Sequence, residues 1–167
     1  MQKQIPLIKK KYLYAADFAK ASLSEIFGKE KLNASKILTA NYFSNAILVN
    51  QGNLTFEVQP MPWRAQLSPF KDAIVVDANH DNLPDILLVG NYYANNIQMG
   101  RYDADFGTIL LNKGKGVFTA ENINSLPLKG ESRHIRKITI GGKVSYIIAK
   151  NNDSTQLIQF ADEMIKK

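Results

Sequence analysis

Residues 74–89, with the sequence IVVDANHDNLPDILLV, decide the fold of this chain. Two short apolar runs, Ile74–Val76 and Ile86–Val89, flank a polar loop. The runs are rich in β-branched and aliphatic residues, which at this length favour strands over helices. Asn and Asp fill the interval, and both are common in turns because their side chains hydrogen-bond to nearby backbone. The stretch therefore predicts two strands joined by an acidic loop.

Oxygen-bearing side chains recur through this loop at alternating positions. With Asp77 as position 1, Asn79 is position 3, Asp81 position 5 and Asp85 position 9. Alternate positions of a tightly curved loop point inward, and Leu83 at position 7 would offer its backbone carbonyl. Such a hard-oxygen set suits Ca²⁺, which takes about 6–8 oxygens, and a cation would relieve the repulsion between three carboxylates. The loop therefore predicts a calcium site.

Other metals and other loop types fit the same residues less well. Mg²⁺ prefers near-ideal octahedra with several waters, and His80 falls at an outward position, which disfavours imidazole-seeking metals. An EF-hand is excluded because Leu88 stands where a bidentate Glu is needed and the flanks are strands. Asn82 replaces the usual Gly but tolerates the left-handed conformation. A loop held by Asx turns without any metal stays open as the alternative.

Strand-like runs continue on both sides of this hairpin, separated by Gly, Asn and Asp turns. We predict ten strands: 36–41, 45–50, 54–59, 73–76, 85–89, 107–111, 117–121, 135–140, 144–150 and 155–160. Many short strands in about 130 residues indicate an antiparallel β body.

The β body contains an internal repeat. Residues 48–56 and 110–118 share the pattern apolar, apolar, Asn, X, Gly, three further residues and Phe, at an offset of 62 residues. A second hairpin follows each copy, at residues 73–90 and 133–150, although the turn at Gly141-Gly142 has lost every acidic residue. A four-stranded unit repeated at this spacing is typical of a β-propeller blade. We expect the last two strands of one blade at 36–60, a full blade at 68–121 and most of another at 133–160.

Residues 1–35 have a different character and predict a helical appendage. Phe18, Leu23 and Ile26 form an apolar stripe at helical spacing, and Gly28 is placed to end the helix of residues 12–28. Residues 1–36 carry eight lysines against three acids, whereas the rest of the chain is nearly neutral. A nucleic-acid interface normally has a basic stripe on the folded body, so the lysines are interpreted as solvated surface. A basic nucleic-acid-binding protein is the weakest alternative function.

Composition excludes several function classes. The chain has 167 residues and no cysteine, which excludes thiol catalysis and Cys-based metal sites. No apolar run approaches the ~20 residues of a membrane helix, and residues 1–7 lack the apolar core of a secretory signal.

The loop Asp77-X-Asn79-X-Asp81-X-X-X-Asp85 between two strands, followed by Gly90-Asn91, resembles the calcium hairpin of FG-GAP (VCBS) repeats. The turns at 50–56 and 112–118 resemble that family's Asn-X-Gly-X-Gly-X-Phe hairpin, with Leu54 in place of the second Gly in the earlier copy. These repeats are the blades of integrin-α-like β-propellers. The sequence around Gly100–Ala104 and the N-terminal helix resemble the C-terminal part of large secreted bacterial FG-GAP proteins akin to cartilage acidic protein.

The resemblance implies a mainly β fold: antiparallel four-stranded blades of an incomplete propeller over 36–162, with a tail at 163–167. It implies one calcium ion and an extracellular, cell-surface or periplasmic binding module without catalysis. Its ligand would be a protein or a glycan. A closed propeller needs about 4–8 blades, so the chain is expected to be a piece of a longer propeller or to pair with copies of itself.

Two further expectations concern partners and chemistry. Aromatic and basic residues in the predicted connectors form a candidate partner surface, with packing between blades as the alternative: Trp63, Tyr92, Tyr93, Arg101 and Tyr102. The main alternative function is a glycan-active hydrolase or lyase that uses Asp103, Asp105 or Glu121 as its carboxylates.

Overall fold

The computed structural model describes residues 5–123 and 128–160. The predicted tail at 163–167 lies outside the described residues. The chain divides into two compact units, Met1–Tyr42 and Phe43–Lys167.

The first unit is helical, as predicted, but its helices are short. They are α1 (Pro6–Lys11), α2 (Ala15–Lys20), α3 (Leu23–Phe27) and α4 (Lys29–Asn33). The single helix predicted over 12–28 is therefore wrong.

The break between α2 and α3 has a local cause. Ala21 is extended, with φ −74° and ψ 134°, and Ser22 begins α3 with a capping box. The Ser22 hydroxyl accepts from the Glu25 amide, and the Glu25 carboxylate accepts from the Ser22 amide. Gly28, with φ +86°, ends α3 as predicted.

The second unit is an antiparallel β structure, and its described residues form nine strands in three sheets. Sheet I contains β1 (Ala46–Gly52) and β2 (Thr55–Pro60). Sheet II contains, in spatial order, β3 (Phe70–Val76), β4 (Asp85–Gly90), β5 (Thr108–Asn112) and β6 (Phe118–Asn122). Sheet III contains β7 (Ser132–Ile140), β8 (Lys143–Lys150) and β9 (Gln156–Ile158), and a 3₁₀ turn, Trp63–Gln66, links sheets I and II.

Nine of the ten predicted strands are present, with small shifts at their ends. The strand predicted over 36–41 is wrong, because this segment forms no strand and all of its residues are exposed. Ile37 and Leu38 are more than four-fifths exposed, so their apolar side chains do not mark a buried strand face.

Sheet II is the central layer of the β unit. Its middle strands are apolar on both faces, as the runs at 86–89 and 109–111 require, because successive side chains of a strand point to opposite faces. One face packs against sheet III in a core that includes Leu87, Ile109, Ile135 and Ile148. The other face packs towards the 3₁₀ turn and sheet I, in a second core of Leu88, Leu110, Ala65 and Ala120 with Ile47 packed against it.

The hairpins of neighbouring sheets share one geometry. Asn50 pairs with Phe56 in sheet I, and Asn112 pairs with Phe118 in sheet II. In each turn a glycine amide donates to the Asn side chain at 2.8 Å, Gly52 to Asn50 and Gly114 to Asn112.

The hairpins β3–β4 and β7–β8 also match each other. Each has an irregular register near its start, between Phe70 and Asp72 in the first and between Ser132 and His134 in the second. The described sheets are stacked and do not close into a ring.

Candidate functional site

The acidic loop connects β3 to β4, as predicted. Two of its residues adopt the left-handed conformation, His80 with φ 58° and Asn82 with φ 63°. Asn82 thus occupies the conformation for which the sequence pattern usually supplies glycine. His80 is exposed, in agreement with its predicted outward position.

Asn79 and Asp81 are brought into direct contact. The Asn79 side-chain amide donates to Asp81 Oδ2 at 2.8 Å, and the Asp81 backbone amide donates to Asn79 Oδ1 at 3.1 Å. Asp81 Oδ1 in turn accepts from the Leu83 amide at 2.8 Å. These Asx turns curve the backbone tightly and present several oxygens on a short arc.

Asp85 is fully buried and holds two segments of backbone together. Its Oδ2 accepts from the Ala78 amide at 3.0 Å, and its Oδ1 accepts from the Asn112 amide at 2.8 Å. The second bond joins the acidic loop to the end of β5. Asp85 therefore anchors the loop, a role that its predicted position as ninth ligand did not reveal.

Asp77 has one satisfied and one orphaned oxygen. Its Oδ2 accepts from the Asn82 amide at 3.2 Å, whereas Oδ1 is buried and has no hydrogen-bond partner in the described part of the chain. A buried carboxylate oxygen without a partner is costly, and a bound cation is one way to satisfy it.

Asp77, Asn79 and Asp81 are the residues of this loop that could hold a hard cation, and Asp77 Oδ1 is the one of their oxygens without a hydrogen-bond partner in the described part of the chain. Within residues 5–123 and 128–160, no three His, Cys, Asp or Glu side chains converge as a metal-holding group. Asp77, Asn79 and Asp81 nevertheless supply carboxylate and amide oxygens on one loop. Together with backbone carbonyl and water oxygens, they would make the kind of mixed oxygen shell that calcium accepts.

Four of the five predicted partner-surface residues lie together. Tyr92 and Tyr102 pair as an isolated antiparallel bridge, with reciprocal backbone hydrogen bonds of 2.8 and 2.9 Å. The Arg101 guanidinium lies 4.7 Å from the centre of the Tyr93 ring, and the Lys71 ammonium lies 4.9 Å from the centre of the Tyr92 ring. Cation–π contacts of this kind are attractive by about 0.5–1 kcal/mol at exposed sites. We name these five residues the tyrosine patch: Lys71, Tyr92, Tyr93, Arg101 and Tyr102.

Trp63 lies on a different element, the 3₁₀ turn, and is 66% exposed. The Arg64 guanidinium lies over the Trp63 ring, 4.9 Å from its centre.

Tyr92 and Tyr93 are only half-buried, so part of each ring faces solvent.

Beneath the tyrosine patch lies a polar network that the sequence did not reveal. Asn91 is 1% exposed, accepts from the Ser68 hydroxyl and donates to the carbonyls of Asp105 and Gly130. Glu131, also 1% exposed, accepts from the Tyr93 amide and from the Asn151 side chain and pairs with Arg133 at 2.9 Å. The pairs Gly90-Asn91 and Lys150-Asn151, each at the end of a strand, are the only local signal of this network.

The carboxylates proposed for hydrolase chemistry are in unlike environments. Asp105 is 4% exposed, and its Oδ1 accepts from the Gly107 amide and the Thr108 hydroxyl. Burial raises the pKa of Asp105, although these hydrogen bonds act against the rise. Asp103 and Glu121 are exposed, whereas Asp105 is buried and forms a turn through its bonds to Gly107 and Thr108.

No protein-family model, curated protein or solved structure matches the chain with statistical significance. None of the helices in the described part of the chain has the length and apolar character that crossing a lipid bilayer requires.

Proposed function

We propose that this chain is a calcium-stabilised segment of an FG-GAP-like β-propeller that acts as a non-catalytic, extracellular binding module for a protein or a glycan. The observation that carries the proposal is the buried, orphaned Oδ1 of Asp77, inside a loop that also presents Asn79 and Asp81.

The propeller part is supported by the sheets. Sheet II is a four-stranded antiparallel meander, and its last hairpin has the same register as the hairpin of sheet I. The sheets pack face to face through two apolar cores, as propeller blades do. The three sheets are thus interpreted as consecutive blades, of which only sheet II contains four strands among the described residues.

The calcium part is supported by the position of the loop. Asp85 fixes one end of the loop to β5, and the Asx turns fix its curvature. A cation that bridged Asp77 to Asn79 and Asp81 would remove the cost of the orphaned oxygen and the repulsion between Asp77 and Asp81. Calcium then stabilises the β3–β4 connection without taking part in a reaction.

The binding part is supported by the tyrosine patch. Cations contact the Tyr92 and Tyr93 rings, and the backbone bridge between Tyr92 and Tyr102 fixes the segment that carries them, so less conformational freedom is lost when a ligand stacks on these rings. Partly exposed tyrosines beside basic groups suit the faces of sugar rings and the surfaces of proteins alike. The proposed ligand is therefore a protein or a glycan.

Calcium should raise the melting temperature of the wild-type protein relative to a sample in chelator. A ligand at about 100 times its Kd stabilises the native state by about 2.7 kcal/mol. Asp77→Asn and Asp81→Ala should each abolish most of this shift, because each removes a carboxylate from the loop. Differential scanning fluorimetry across a calcium titration measures the effect.

Asp103→Asn is the matched control, since it removes an exposed carboxylate outside the loop and should leave the shift unchanged. A wild-type protein that melts at the same temperature in calcium and in chelator would contradict the proposal. An undiminished shift in both loop variants would do so as well.

A further inference from the structure

The two outer sheets of the β unit each expose an apolar face. On sheet I the outer face, here called the leading face, presents Leu48, Phe56 and Val58, which are 62%, 56% and 50% exposed. On sheet III the outer face, here called the trailing face, presents Ile140, Ile147 and Leu157, which are 46%, 37% and 49% exposed. The strand registers place the members of each set on one side of their sheet.

The leading face repeats a surface that is buried inside the stack. Because β1–β2 and β5–β6 share one register, Leu48 corresponds to Leu110 and Val58 to Ala120. Leu110 and Ala120 are 0% and 7% exposed, in the core that faces sheet I. The same positions are thus covered in sheet II and open in sheet I.

The trailing face repeats the opposite surface of sheet II. The register of β7–β8 and β8–β9 makes Ile147 the counterpart of Leu87, and Leu157 the counterpart of Ile109. Leu87 and Ile109 are 0% and 5% exposed, in the core that faces sheet III. The stack of three sheets therefore has two unlike outer faces. Inside the stack, surfaces equivalent to the trailing face pack against surfaces equivalent to the leading face.

We propose that a second copy of this chain covers these faces, with the trailing face of one copy packed on the leading face of the next. This inference rests on the propeller part of the proposed function and not on calcium. The contact is head-to-tail, so it uses two unlike surfaces, and a ring closes if the rotation between copies allows it. We infer a second copy because, within one chain, each sheet already packs its trailing side on the leading side of the next sheet.

The test measures association of the full chain by analytical ultracentrifugation over a wide range of concentrations. The wild-type protein should assemble as its concentration rises. Leu48→Glu on the leading face and Ile147→Glu on the trailing face should each weaken assembly by about tenfold or more, because each buries an unpaired charge at the contact. Ile97→Glu, which changes a side chain that is 97% exposed and lies outside both faces, should assemble like the wild type.

Mixing the two face variants distinguishes a head-to-tail contact from a symmetric one. Leu48→Glu keeps an intact trailing face and Ile147→Glu keeps an intact leading face, so the mixture should form one-to-one pairs that neither variant forms alone. Circular dichroism checks that both variants are folded. We expect them to be, because both positions are exposed in the single chain. A wild-type protein that stays monomeric at every concentration, or a mixture that assembles no better than its components, would overturn the inference.

Calcium binding is measured on the same samples. Assembly without calcium binding would contradict only the calcium part of the proposed function. Calcium binding by a strictly monomeric protein would overturn only the head-to-tail contact.

Discussion

Single residues hold the β unit together through buried polar contacts. Asp85 links the acidic loop to β5 by a hydrogen bond from the Asn112 amide. Glu131, next to the start of β7, accepts hydrogen bonds from the Asn151 side chain and the Tyr93 amide. Asn91 holds the connection after β4 through hydrogen bonds of its own side chain. In a low-dielectric interior these bonds matter because their loss leaves a buried donor or acceptor unpaired.

Glu131 gives the fold a predictable dependence on acid. Burial alone would raise the pKa of its carboxyl, but hydrogen bonds from Asn151 and the Tyr93 amide, with Arg133 and Lys71 nearby, lower it from the usual 4.5. The folded state therefore binds this proton less tightly than the unfolded chain. The ionised Glu131 stabilises the fold above pH 4.5, and this contribution is lost as the pH falls through the lowered pKa.

Glu131→Gln should lower the free energy of unfolding by about 1–3 kcal/mol at neutral pH, because the glutamine amide has one acceptor oxygen where the carboxylate has two. It should also flatten the acid limb of the stability curve. Urea unfolding at a series of pH values measures both effects. An acid limb as steep in Glu131→Gln as in the wild type would contradict the role given to this carboxylate.

Gly90 is a second residue whose identity the structure fixes. A Cβ atom at this position would lie 2.2 Å from the Pro69 carbonyl oxygen and 2.7 Å from Phe70 Cα. Both contacts are to backbone, so the start of β3 would have to move.

Gly90→Ala should lower the free energy of unfolding by about 3 kcal/mol or more, since overpacking against backbone has no inexpensive relief. The control is Gly142→Ala, where φ is +79° and no atom lies within 4 Å of the added carbon. That variant should cost about 1 kcal/mol, from the left-handed conformation alone. Equal losses in the two variants, measured by chemical denaturation, would refute the steric explanation.

At the scale of elements, the stability of a hairpin depends on what covers it. β1–β2 and β5–β6 have the same register and the same Asn–Gly turn bond, yet only β5–β6 lies inside a four-stranded sheet with both faces packed. Equivalent leucines in the two hairpins therefore allow a matched comparison of burial.

Leu110→Ala should destabilise the protein by about 2–5 kcal/mol, because it leaves a cavity in a closed core. Leu48→Ala, at the equivalent but exposed position, should cost about 0.5 kcal/mol or less. Unfolding is measured at low protein concentration, so that association does not contribute. Similar losses for the two variants would mean that sheet I is covered in the isolated chain.

Much of the fold could be predicted at this scale, because strand periodicity is a local signal. The runs at 86–89 and 109–111 are apolar at every position, which is what a central strand buried on both faces requires. The segment at 36–41 contains only Ile37, Leu38 and Ala40 as apolar residues, and it forms no strand and is exposed throughout. The helical segment was broken by Ser22, whose capping bond to Glu25 begins a new helix.

The candidate site was predictable only in part. The spacing of Asp77, Asn79 and Asp81 identified the loop, and the structure brings Asn79 and Asp81 into contact. The anchoring role of Asp85 depends on Asn112, which follows it by 27 residues. A local sequence pattern does not span that separation, so it could not predict the contact. The network of Asn91 and Glu131 was missed for the same reason, since its partners come from different strands and connectors.

At the scale of the whole molecule, the β unit is a stack of three sheets with an acidic loop in the middle one. The excess positive charge belongs to residues 1–36, which lie in the helical unit, and the β unit is nearly neutral. We propose that a stack of this kind, with two unlike outer faces, is part of a ring, and that the loop binds a cation.

The calcium content of the purified protein tests the central claim most directly. After equilibration in calcium and removal of the free ion, elemental mass spectrometry should find about one calcium per wild-type chain and almost none in Asp77→Asn, because a tight site keeps its ion whereas a loop without the Asp77 charge does not. A wild-type protein that retains no calcium, or an Asp77→Asn protein that retains as much as the wild type, would contradict the account.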